Sequence, residues 1–192
     1  MTTDNQFLRA YVTLQVAALS WSSLSMLCQG PQAFDAPFGP KYATEWGWVW
    51  AHSVSALLVL VLGPWLLWRL PGHRLCGRIY LISSLLAGVS GLPLSLRAEG
   101  GWGGRLSFLI LDSLWLRAAW SAYATARQRQ WKRHLDWVQV HYLLAWSAVF
   151  FRLGLGATAQ LGIPLQQVAL PLAWLSWQPG FWLAYRRGLI TK

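Results

Sequence analysis

Four histidines, one aspartate and two arginines interrupt stretches otherwise rich in Leu, Val, Ala and Trp: His52, His73, His134, His141, Asp112, Arg117 and Arg152. Ionisable groups at membrane depth are costly unless paired or solvated, so each is a candidate for function. His73 and His134 stand beside arginines, Arg74 and Arg78 in one case and Arg133 in the other. His141 follows His134 by seven residues, about two helical turns, and so lies on a similar face. Imidazoles from two neighbouring helices can ligate a haem iron axially. Haem b is therefore a candidate cofactor for His73, His134 and His141, with His52 towards the opposite end. The same His and Arg donors suit a quinone or an anionic lipid headgroup. A purely structural use, capping helix ends and holding orientation, accounts for these histidines as well.

Asp112 and Arg117 are five residues apart, which turns them about 140° from each other around a helix and gives them separate partners. Arg152 falls near the end of its apolar stretch, where it either lines a site or snorkels to the interface as an anchor. A second reading of the same residues is a binding or transport protein for a small anionic or amphipathic molecule, with Asp112, Arg117 and Arg152 lining a polar cavity. A third is a structural subunit of a larger membrane complex.

Such residues need elements to hold them, and the composition says which. Of 192 residues 55% are apolar and 11% charged, against about 25% charged in an average soluble domain. At about 20 apolar residues per transmembrane helix, the chain supplies six spans, expected over residues 7–27, 46–70, 79–96, 106–126, 135–155 and 165–185. The expected fold is an all-α integral membrane bundle forming one domain over residues 1–192. The 15 Trp residues suit several short spans, because the indole concentrates at bilayer interfaces, with its ring buried and its N–H wet.

Sixteen Lys and Arg against six Asp and Glu would suggest nucleic acid for a soluble chain. Here the charges alternate by side. Arg9, Arg69, Arg74, Arg78, Arg127, Arg129, Lys132, Arg133, Arg186, Arg187 and Lys192 fall on one, and Lys41, Arg97 and Arg105 on the other. This bias places both termini in the cytoplasm; the expected partners are the lipid bilayer and other membrane subunits, with no nucleic acid. Cys28 and Cys76 fall at opposite ends of the spans, too far apart for a mutual disulfide. There is no P-loop, no GxGxxG opening a helix, no HExxH and no CxxC, and no cleavable signal peptide is expected. No metal site other than a haem iron is legible.

The segments AHSVSALLVLVLGP, HRLCGRIY, FLILDSLWLRAAWSAYATAR and HLDWVQVHYLLAWSAVFFRL, in this order and spacing, resemble the bacterial multi-pass membrane family known as domain of unknown function 2306. The resemblance covers about residues 51–185 and implies an inner-membrane location. On the family pattern it singles out His52, Gly63, Pro64, His73, Arg74, Gly77, Arg78, Tyr80, Trp115, His134, Trp137, Tyr142 and Arg152. It thereby adds Tyr80 and Tyr142 to the candidate contacts. The family usually has a small residue where His141 stands. No activity follows from the resemblance, and the functional expectation is a small haem- or quinone-interacting redox subunit using His73 and His134.

Overall fold

The computed structural model describes Leu24, Ser25, residues 27–31 and residues 44–190. The expected first span lies almost wholly outside them. The main helices are α1 (Trp46–Leu67), α2 (His73–Ser95), α3 (Gly101–Arg127), α4 (Trp131–Ala145), α5 (Ser147–Gln160), α6 (Leu165–Leu175) and α7 (Gln178–Arg186). Helices α1, α2 and α3 overlap the second, third and fourth expected segments, α4 and α5 together the fifth, and α6 and α7 the sixth.

The turns are short and their chemistry is visible. Gly72, Gly100 and Gly162 take positive φ values of 81°, 85° and 68°, a region open to glycine at little cost. Arg69 and Arg129 occupy the same region at 54° and 59° in the tight turns after α1 and α3. Such short links leave consecutive helices antiparallel and adjacent. α1 packs on α2 and α4, α2 on α3, and α3 on α4 and α6, while α7 closes against α4.

Helix α2 shows which solvent this packing answers to. Its buried residues include Ser83, Ser84, Ala87, Gly88, Ser90, Gly91 and Ser95, while Ile82, Leu85, Leu86 and Val89 are exposed. Small and hydroxylated residues inside with large apolar ones outside is the arrangement that suits lipid, where close backbone approach drives association. The fold is thus an all-helical membrane bundle. Among the described residues, Trp46–Leu67, His73–Ser95 and the joined stretch Trp131–Gln160 are long and apolar enough to cross a bilayer. Helix α3 carries Arg105, Asp112, Arg117 and Arg127 along its length, and the sixth expected span is divided into two short pieces.

Breaks in the helices are met by side chains. Pro64 has no N–H to give the Leu60 carbonyl four residues earlier; the Tyr142 hydroxyl approaches that oxygen at 3.4 Å. Around the α6–α7 break, Ser107 Oγ donates to the Ala173 carbonyl at 2.8 Å. It accepts from Trp177 Nε1 at 2.9 Å. Backbone groups in hydrocarbon must be satisfied by protein, and these contacts do so. The Glu45 carboxylate meets the Arg97 guanidinium at 2.7 Å, tying the start of α1 to the turn after α2. Cys28 and Cys76 are free thiols.

Candidate functional site

A cavity of about 290 Å³ opens between α1, α2, α3, the α4–α5 junction and α6. It lies towards the end of the bundle that carries the α2–α3 turn. Most of its wall is apolar, including Leu60, Phe108, Leu111, Trp115 and Phe151, but His52, Ser95, Asp112 and Arg152 also line it. A few polar groups converging in an apolar pocket is the usual composition of a small-molecule site.

Each polar group is held differently. The His52 ring reaches across from α1 to α2, with Nδ1 2.9 Å from the Ala87 carbonyl. A carbonyl oxygen only accepts, so Nδ1 carries the hydrogen, and in the neutral ring Nε2 carries the lone pair. Ser95 Oγ donates to Asp112 Oδ2 at 2.5 Å, and both residues are buried. A glycine makes room for this convergence: a Cβ on Gly91 would lie 2.9 Å from Asp112 Oδ1 and 3.2 Å from His52 Nδ1. Arg152, on α5, faces the cavity, and no hydrogen bond or ion pair engages its guanidinium among the described residues. A guanidinium facing an apolar wall without a partner is costly to keep there, so its place is informative.

Two further clusters stand apart from the cavity. The Tyr80 hydroxyl and His141 Nδ1 are 2.7 Å apart, and the His141 ring centroid lies 4.1 Å from that of Trp115. His141 is fully buried, and its Nε2 has no hydrogen-bond partner among the described residues. Trp115 Nε1 donates to the Ser84 carbonyl at 2.8 Å, which fixes the indole as a shared wall of this cluster and the cavity. At the other end of the bundle the rings of His73 and His134 meet at 6.4 Å with planes at 85°, and His134 Nδ1 donates to the Ala122 carbonyl at 2.8 Å.

The sequence-derived candidates therefore divide. His52, Asp112 and Arg152 meet at one cavity; Tyr80 and His141 pair deep in the bundle; His73 and His134 pair at its basic end, where Arg74 and Arg78 also lie. Arg117 does not join Asp112 and Arg152: it sits 5.9 Å over the Trp137 ring, beside a separate small crevice lined by Leu114 and Leu144. Tyr142 packs against α1 at Gly63. Sequence reasoning missed Ser95 and the wall serines Ser53, Ser147 and Ser176. A signal existed, since Ser84, Gly88, Gly91 and Ser95 recur at helical spacing and mark one small-residue face of α2.

An apolar exterior and a small-residue interior define a helical membrane protein, with a largely apolar cavity inside its bundle. The chain matches the family described as Predicted membrane protein (DUF2306) over residues 49–185 and belongs to it. No curated protein and no solved structure matches it.

Proposed function

We propose that this protein binds a small amphipathic molecule with an anionic head inside the membrane. One observation carries the reading: the guanidinium of Arg152, unpaired among the described residues, faces a largely apolar cavity whose other polar groups include His52, Glu99 and the Ser95–Asp112 pair. Arg152 supplies the charge and a planar fork of donors that suits an oxyanion. The aromatic and aliphatic wall receives the hydrocarbon part. The site lies beside the α4–α5 and α6–α7 junctions, and transporters commonly build their sites from interrupted helices. Binding is the core of the proposal, and transport is its natural extension.

In the cell we place the chain as a six-span protein of the bacterial inner membrane with both termini cytoplasmic. Arg69, Arg74, Arg78, Arg127, Arg129, Lys132, Arg133, Arg186 and Arg187 gather at one end of the described bundle, supporting that orientation. The test is calorimetric binding in lipid nanodiscs of three ten-carbon amphiphiles: decanoate, decyl sulfate and decanol. Both anions are expected to bind at least about tenfold more tightly than decanol, a difference of about 1.4 kcal/mol, and Arg152→Ala to remove the difference. Equal binding of all three, unaffected by Arg152→Ala, would refute the reading.

A second reading keeps haem b between His73 and His134. The approach of their ring centroids to 6.4 Å favours it, because two imidazoles on one iron stand close, at roughly 2 Å per iron–nitrogen bond. Neither residue lines the cavity, so a porphyrin would need the α2 and α4 ends to part. A reduced-minus-oxidised spectrum decides: Soret and α bands lost in His73→Ala and His134→Ala support haem, and a folded, colourless protein rejects it.

A further inference from the structure

We infer that the molecule bound at Arg152 is an amphipathic monocarboxylic acid, held as its carboxylate while its proton resides on His52 Nε2. The inference rests on the binding role proposed above and specifies the ligand class.

The argument is one of matching donors to acceptors. His52 Nδ1–H is committed to the Ala87 carbonyl, so its Nε2 offers only a lone pair until it takes a proton. Asp112 already accepts from Ser95 and has acceptor capacity left on Oδ1. Arg152 only donates. These three groups therefore join one fixed cationic donor to two acceptors. A quinone or a sulfate, which only accepts, satisfies Arg152 and leaves His52 unanswered. An amine answers the acceptors and opposes Arg152. A carboxylic acid carries an O–H and a carbonyl oxygen on one carbon and meets both needs.

Charge points the same way. The charged groups lining the cavity with His52 are Arg152 from α5, Asp112 from α3 and Glu99 from the turn after α2. On the His52 helix itself, Glu45 at its start is engaged by Arg97. One cation beside two carboxylates disfavours a doubly charged phosphate and accommodates a monoanion only with a second cation, which protonated His52 supplies. A weak acid also has a route to the site that a permanent anion lacks, since it crosses the apolar wall as a neutral molecule and ionises on arrival. In that step the carboxyl O–H bond breaks and an Nε2–H bond forms, with no electron transferred. The result pairs two cations, Arg152 and His52, with the ligand carboxylate and Asp112, while Glu99 at the rim has an interaction of its own.

The experiment uses decanoic acid labelled with ¹³C at the carboxyl carbon, bound to the intact protein in nanodiscs. Infrared difference spectra are expected to show the ionised carboxylate bands and no acid carbonyl band. Decanoate is ionised in bulk near neutral pH, so binding is expected to take up one proton, and affinity to fall about tenfold per unit rise in pH. In folded His52→Gln the proton uptake should vanish, or the bound ligand should switch to the neutral acid. A bound neutral acid in the wild type overturns the inference. So does an ionised ligand without proton uptake, or uptake that persists in His52→Gln with the ligand still ionised. In each of these outcomes, a head-group preference that depends on Arg152 leaves the broader binding role standing. Loss of that preference rejects both.

Discussion

Gly63 on α1 lies so close to the Tyr142 ring on α4 that a Cβ at that position would overlap it. The hydroxyl of the same tyrosine reaches the Leu60 carbonyl at 3.4 Å, the oxygen that Pro64 leaves without a helical N–H. One residue thus fills the notch that the glycine makes and answers the acceptor that the proline frees. Gly63→Ala gains about 1 kcal/mol of helix propensity but forces the ring out, at about 1–3 kcal/mol. The expected result is a net loss of stability on unfolding in detergent. In a Tyr142→Ala background the same substitution should stabilise; a penalty equal in both backgrounds would refute the contact.

Tyr80→Phe removes the partner of His141 Nδ1 in the middle of the bundle, where Nε2 is already without one. Leaving a buried polar atom unsatisfied costs about 1–3 kcal/mol, whereas replacing both partners by apolar groups of similar shape is nearly neutral. The double variant Tyr80→Phe/His141→Phe should therefore be more stable than Tyr80→Phe alone. Denaturant titration of both variants checks this, and additive losses would count against it.

The Ser95–Asp112 bond joins α2 to α3 inside the cavity wall. Ser95→Ala should destabilise by about 1–3 kcal/mol, the cost of a deprived buried acceptor. In an Asp112→Leu background the same change should cost little. A double-mutant cycle reads the coupling directly, and a coupling near zero would show that the two side chains do not depend on each other.

Gly91→Ala tests the site without touching a functional group. The new methyl would stand 2.9 Å from Asp112 Oδ1 and 3.2 Å from His52 Nδ1, crowding the place where the two converge. Decanoate affinity should drop about tenfold, about 1.4 kcal/mol, while the protein remains folded. Unchanged affinity would place the ligand head elsewhere.

Orientation is tested by single cysteines in a Cys28→Ser/Cys76→Ser background. A cysteine at Arg129 should be shielded from a membrane-impermeant maleimide in intact cells, and one at Gly101 should react. The reverse pattern would invert the bundle.

Much of the helical framework is legible in the sequence. The runs Trp46–Leu67 and His73–Ser95 are bounded by a Pro-Gly turn and basic residues, and such punctuation marks helix ends from local sequence alone. The interruptions near Trp146 and Trp177 were not legible as breaks. Pro179 hinted at the second, but whether a helix bends or stops depends on neighbours such as Ser107 that satisfy the freed backbone.

The sequence by itself determined that this chain belongs in a bilayer, that it forms helices, and that a few histidines and charges sit at uncomfortable depths. Those are properties of composition and of spacing along one strand of chain. Only the tertiary structure decided which of those residues meet. His52, Asp112 and Arg152 come from three different helices and were not joined by any period in the sequence, and Arg117, five residues from Asp112, turns away from it. Side-chain spacing along one helix sets a face, but packing between helices sets the partner across it, and packing brought Arg152 to a cavity.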